Sequence, residues 1–368
     1  MTTHIFIVNE NSFPVHLKYL FAGTGAGEKD THLSLLADIS RVRPGDPVIF
    51  YLERVGFFGT FKITGRPFKD DRGPTYLEEY LQKKLIYRVM LEPLEVMPRC
   101  VSEWDALDKL PLYAKDVIWS LIYRKLKGNR GCTPITLHEA ERLLTMLRDS
   151  NHDQTIKLGH GESYTYNHKE MRIETCSEVQ HYQGPVSDTE DIFSEMIQLD
   201  KKERAFEENL EVYFTINVGR KQALAPIVGN EEEIIWLGNQ VFCGVGMQKI
   251  DIFTITSDTR RNKQFNLVEL KCVSADPDIV RQLERYVLWT NSYIHDAINS
   301  NIQPVIVTRK VKRALSKIGK PLKVQVMRES TKNTLREFNN LCISKPVKWF
   351  EFDFVNGSIV FEEVDYLS

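Results

Sequence analysis

The stretch "FNLVELKC", residues 265–272, is an apolar run that ends in a glutamate and a lysine separated by one leucine. Its composition predicts a buried strand. Alternation along a strand puts Glu269 and Lys271 on one face and Leu270 on the other. A carboxylate and an ammonium at the mouth of such a strand form either a structural ion pair or the start of a metal site, and the flanking chain discriminates between them.

Outward from this stretch, helix and strand alternate. "DIFSEMIQLDKKERAFEENLEVYF" (191–214) has helical spacing, and "EEIIWLG" (232–238) and "KIDIFTI" (249–255) read as strands. "PDIVRQLERYVLWTNSYIHDAI" (277–298) is a long amphipathic helix, and "QPVIVT" (303–308) is a buried strand. "VKWFEFDFVNGSIVFEEV" (347–364) reads as two strands joined at Asn356-Gly357, a strong hairpin signature. The pattern predicts helices around one mixed sheet.

Asp251 lies in the strand before Glu269, so an antiparallel pair brings the two carboxylates side by side, where they repel unless a cation sits between them. Hard oxygen ligands with open water positions are what Mg²⁺ prefers, and Mn²⁺ serves the same set. A cation held there polarises a phosphodiester and acidifies an attacking water. Lys271 is placed to orient or deprotonate that water and to stabilise developing charge. Gln282 and Tyr286, four apart on the following helix, face the same way, and the upstream helix offers Glu203, Glu207 and Glu208.

This ensemble resembles the PD-(D/E)XK nuclease superfamily, most closely its RecB-like branch with the archaeal-type mismatch and branched-DNA endonucleases. "GMQKIDIF" matches the Asp strand, "LVELKC" the ExK strand, "RQLERYV" the Gln-x-x-x-Tyr helix, and "QPVIVTRKVKRAL" the strand and helix that follow. The likeness covers about residues 195–330. It implies Asp251 and Glu269 as metal ligands, Lys271 as the catalytic lysine, and Gln282 and Tyr286 as supports. For the first glutamate of the site it implies Glu203, with Glu208 as the alternative.

Residues 1–150 read differently. "HIFIV" (4–8), "DPVIFYLE" (46–53), "GFFGTFKI" (56–63) and "KLIYRVMLEPL" (84–94) are strand-like, and "AKDVIWSLIYRKL" (114–126) and "TLHEAERLLTML" (136–147) are helical. A small curved sheet or barrel with helices at its end is expected. The opening "HIFIVNENSF", the paired strands "VRPGDPVIFYLERVGFFGTFKIT" and "IWSLIYRKLKGNRGCTPITLHEAERLL" resemble the EVE/PUA-like fold, a cousin of the YTH readers. That likeness implies a pocket for a flipped or modified base, with Trp104, Trp119 and Tyr123 as wall residues and Arg124, Lys127 and Arg130 near the backbone. "AGTGAG" (22–27) lacks the ending of a phosphate loop. Residues 151–190 are polar and Gly-rich and read as a linker. The spacing of His152, His160, His168, His181 and Cys176 within them matches no familiar metal-ligand pattern.

Net charge is −2 over 368 residues, so any surface for a polyanion must be local. Residues 309–328 supply one candidate, with Arg309, Lys310, Lys312, Arg313 and Lys317 and no acidic residue. The six scattered cysteines fit reduced thiols better than a disulfide frame. No apolar run approaches the roughly 20 residues of a membrane span, and the N-terminus shows no signal-peptide pattern, so a soluble cytoplasmic protein is expected. The resulting expectation is a metal-dependent DNA endonuclease with a base-reading domain at 1–150, a linker at 151–190 and a nuclease domain at 191–368. The expected role is restriction, directed at a modified base, with a homodimer for double-strand cutting. Repair of mismatched or branched DNA is the alternative, as is a nucleic-acid-binding protein without catalysis.

Overall fold

The computed structural model describes residues 1–25, 32–108, 131–178, 180–187, 192–244, 248–310 and 320–367, with only the backbone at 320–324. The chain divides into two compact units, Met1–Glu190 and Asp191–Ser368.

The first unit is a curled eight-stranded sheet. Its strands are β1 (Thr3–Val8), β2 (Phe21–Thr24), β3 (Pro47–Leu52), β4 (Gly56–Ile63), β5 (Phe68–Lys69), β6 (Tyr87–Pro93), β7 (Val101–Ser102) and β8 (Cys132–Ile135). The main path runs β2-β6-β4-β3-β1-β8, with β5 on β6 and β7 on β4. β1 and β3 are parallel and the remaining neighbours antiparallel. The stretch at 22–27 therefore begins as strand β2. Thr136 and Glu139 close a reciprocal capping box at the start of the helix Leu137–Asn151, as their spacing predicts.

The expected linker is instead part of this unit. Residues 163–176 form a hairpin, β9 (Ser163–Asn167) with β10 (Arg172–Cys176). Tyr166 packs its ring on Phe13 and Phe58 in the core. Tyr182 stacks against Phe21 and Phe68 while its hydroxyl accepts from the buried Arg88. Aromatic residues spaced among polar ones are enough to anchor the segment, because each ring removes a large apolar area from water.

The second unit is a six-stranded mixed sheet in the order β11-β12-β13-β14-β15-β16. The strands are β11 (Ile234–Cys243), β12 (Gln248–Ser257), β13 (Lys263–Leu270), β14 (Ile302–Arg309), β15 (Lys348–Val355) and β16 (Ser358–Glu363). β13, β14 and β15 are parallel, and hairpins add the antiparallel outer strands. Parallel neighbours require crossovers, which the helices Asp278–Tyr293 and Lys320–Asn340 supply. Asn356 and Gly357 both have positive φ, as a two-residue hairpin turn demands. A pair of helices, Ile192–Lys201 and Glu207–Asn217, precedes the sheet. No helix among the described residues is long and apolar enough to cross a membrane.

Candidate active site

The β12–β13 register runs from Ser257 opposite Lys263 to Ile252 opposite Val268. One step further along the same register places Asp251 opposite Glu269. There the ladder ends, and the Leu270 N–H donates to Asp251 Oδ2 at 2.8 Å. Glu269 is 2 % exposed. Its Oε1 lies 2.6 Å from Lys271 Nζ, the same-face partner that alternation predicts. Its Oε2 is 2.8 Å from the Tyr286 hydroxyl, which also lies 2.6 Å from the Lys249 carbonyl and has one proton for the two acceptors. Gln282 is half-buried one turn before Tyr286, on the same helix face.

The acidic residue contributed by the upstream helix is neither Glu203 nor Glu208. Glu203 is exposed in the turn after the helix Ile192–Lys201, with left-handed φ, and Glu208 is also exposed. Helix geometry corrects the assignment: Glu207 and Glu211, one turn apart, share the face toward the sheet. Glu207 Oε1 reaches Lys271 Nζ at 3.2 Å. Glu211 is buried and accepts from Asn239 Nδ2 at 2.7 Å and from Gln240 Nε2 at 2.8 Å. The same Gln240 nitrogen donates to Asp251 Oδ1 at 3.1 Å. Asn239 and Gln240 are neighbours in a strand, where alternation sends side chains to opposite faces. Gln240 has φ +47, and this left-handed residue turns both amides toward the acidic cluster.

Electrostatics follow from this crowding. Burial, then the charges of Glu269 and Glu211, push the Asp251 carboxyl well above the ordinary 3.8. Burial also lifts Glu269, against the opposing pull of Lys271 and the Tyr286 hydrogen bond. For Lys271, burial works to lower the pKa, but Glu269, Asp251 and Glu207 outweigh it and hold the ammonium above its ordinary range. Lys271 is therefore a fixed positive charge. Four carboxylates (Glu207, Glu211, Asp251, Glu269) face this one ammonium, and a surplus of hard, negative oxygen in a half-buried cleft fits a divalent cation. Among the described residues no three His, Cys, Asp or Glu side chains close a cage by themselves. Asp251 and Glu269 would thus hold the ion with water completing its shell, as Mg²⁺ prefers.

The basic stretch behaves differently from its expected role. Arg309 is buried, and its guanidinium binds Asp200 at 3.0 Å, Asp353 at 2.6 Å and the Phe352 carbonyl while lying over the Phe352 and Phe354 rings. Lys310 pairs with Glu362. These two cations are committed within the unit, because a buried charge without a partner is costly. Lys312, Arg313 and Lys317 lie outside the described residues. So do Trp119 and Tyr123, together with Arg124, Lys127 and Arg130. Trp104 stands 64 % exposed on the short helix Glu103–Asp108, a surface ring and not an enclosed wall. Among the described residues the histidines at 152–181 gather no metal site.

Family models and curated proteins give no match to this chain. Among solved structures, Rpa0253 from Rhodopseudomonas palustris is similar at TM-score 0.27 and 13% identity, over 40% of this chain and 93% of that one. The YTH domain of the Zygosaccharomyces rouxii MRB1 protein, solved with N6-methyladenosine RNA, is similar at TM-score 0.26 and 11% identity, over 42% of this chain and 90% of that one. Both likenesses are too slight to assign either unit.

Proposed function

We propose that the second unit is a divalent-cation-dependent phosphodiesterase acting on DNA and that the first unit reads the nucleic acid. One observation carries the hydrolytic reading: Asp251 and Glu269 lie side by side at the end of paired strands, with Lys271 seated on Glu269. A structural ion pair needs no second and third carboxylate, and the mutual repulsion is an unfavourable term that a purely structural cluster does not require. When bound, Mg²⁺ or Mn²⁺ supplies charge neutralisation at the phosphate and an acidified water. Lys271, held as an ammonium, stabilises negative charge developing on the phosphate oxygens. Its high pKa speaks against service as the base. Tyr286 and Gln282 face the cleft from the helix Asp278–Tyr293, and the Tyr286 hydroxyl fixes Glu269.

The base-reading part of the proposal rests on the EVE/PUA-like resemblance of residues 1–150 and on the curled sheet found there. Together the two readings give a restriction endonuclease directed at a modified base, working as a pair of chains for double-strand cutting. The test is cleavage of matched plasmids, unmodified or carrying modified cytosine or adenine, with Mg²⁺ or Mn²⁺ and with Lys271→Ala as control. Cutting of one modified plasmid, lost in the variant, supports the whole reading. Cutting confined to mismatched or branched duplexes points to repair. Intact DNA in every arm, with binding retained, overturns the hydrolytic assignment.

A further inference from the structure

We infer that Gln240 is a cation-excluding residue: its side-chain amide fills the space between Glu211 and Asp251 and limits the site to a single divalent ion, seated at Asp251 and Glu269. This inference rests on the proposed cation site and specifies how many ions it takes.

The geometry is specific. A primary amide has two N–H groups, and here the Gln240 nitrogen lies within hydrogen-bonding distance of one oxygen of each acid, Glu211 Oε2 at 2.8 Å and Asp251 Oδ1 at 3.1 Å. A donor between two carboxylates stands where a second cation would otherwise stand. It supplies partial positive charge to both without taking up a full one. The neighbouring Asn239 holds the other Glu211 oxygen at 2.7 Å, which keeps Glu211 aimed at the bridge. The bridge is also maintained against a backbone preference, because Gln240 adopts left-handed φ +47 within β11, a conformation that side-chain-bearing residues visit at a cost. At Glu269, by contrast, the competing donor is Lys271 on Oε1, and the carboxylate stays directed into the cleft beside Asp251.

Gln240 is thus a positioning residue, and ion stoichiometry distinguishes this role from a merely structural one. The experiment is calorimetric titration of the full chain with Mn²⁺, supported by counting bound Mn²⁺ from the loss of its free-ion electron paramagnetic resonance signal. The wild-type chain should take up one equivalent. Gln240→Leu, which keeps the size but removes both donors, should take up two. Gln240→Asn tolerates the left-handed backbone but is too short to span both acids; it should also take up two and covers the case in which the leucine variant fails to fold. One equivalent in the wild type and still one, or none, in a folded Gln240 variant overturns the inference and leaves the cation site standing. No uptake by the wild type overturns the cation site itself. Two equivalents in the wild type refute exclusion outright.

Discussion

Asp251→Asn should stabilise the cation-free protein at neutral pH, although it removes the residue on which the cation site depends. In the wild type, burial and the charges of Glu269 and Glu211 raise the Asp251 carboxyl well above 3.8. A carboxyl whose folded pKa exceeds its unfolded one contributes stability that is fully present below the unfolded value. That stability is lost as pH rises through the folded value. Each unit of elevation is worth about 1.4 kcal/mol. Asparagine carries no charge and so escapes this loss. It keeps an oxygen for the Leu270 N–H but faces the Gln240 amide with a second donor, forfeiting one hydrogen bond worth about 1 kcal/mol. A lift of a single unit already exceeds that, so the net effect at pH 7 is stabilising, with about 2–4 °C in melting temperature for each kcal/mol in a unit of this size. The measurement is thermal melting in a chelator, followed by tryptophan fluorescence: Trp236, Trp289 and Trp349 report the second unit and Trp104 and Trp119 the first. The advantage should shrink on acidification and reverse slightly below pH 4. With Mg²⁺ at about 100 times its dissociation constant, the wild type alone should gain about 2.7 kcal/mol, which inverts the ranking. A variant less stable than wild type at pH 7 in chelator, or a gap insensitive to pH, refutes the electrostatic reasoning.

Three further outcomes are expected. Arg309→Ala leaves Asp200 and Asp353 facing each other without their shared cation and should cost about 3–5 kcal/mol in urea unfolding. The salt slope of DNA binding should stay unchanged, because Arg309 is not a phosphate contact. Tyr286→Phe removes the donor to Glu269 and should cost about 1.5–3 kcal/mol of stability. It should also raise the pH needed for Mn²⁺ uptake, followed by calorimetry between pH 5 and 7, since the lost hydrogen bond favoured the charged carboxylate. Glu139 is buried, and desolvation pushes its carboxyl up to about 8 despite its hydrogen bonds to Thr136. Its contribution is therefore present below the ordinary 4.5 and lost as pH rises toward 8, so Glu139→Gln should gain on the wild type across that window in melts run from pH 4 to pH 9.

The strand framework was legible because alternation and helical spacing are local: Glu269 and Lys271 meet as strand period dictates, and the Asn356-Gly357 turn closes the last hairpin. Glu211 was missed because an alignment through Phe206, Asn209 and Leu210 drew attention upstream. Its own mark was present in "LEVYF", a lone charge inside an apolar run, which folding leaves buried and in need of partners. Gln240 carries no such mark, since its role depends on a left-handed backbone that no local composition announces. Polar composition at 151–187 concealed Tyr164, Tyr166, Ile173 and Tyr182, whose burial makes that segment part of the first unit. For Arg309 and Lys310, charge alone is ambiguous, because the same cation serves a nucleic acid or an aspartate and only the fold reveals Asp200, Asp353 and Glu362 nearby.

The left-handed turn at Gln240 has a second effect, on colloidal behaviour. β11 ends the strand order of its sheet, and a straight terminal strand offers its outward N–H and C=O groups as a template for other chains. A residue that leaves the extended conformation midway interrupts that row. The conformation that aims an amide at two acids thereby also guards a sheet margin against self-association, so relaxing it in search of stability would risk a protein that clumps.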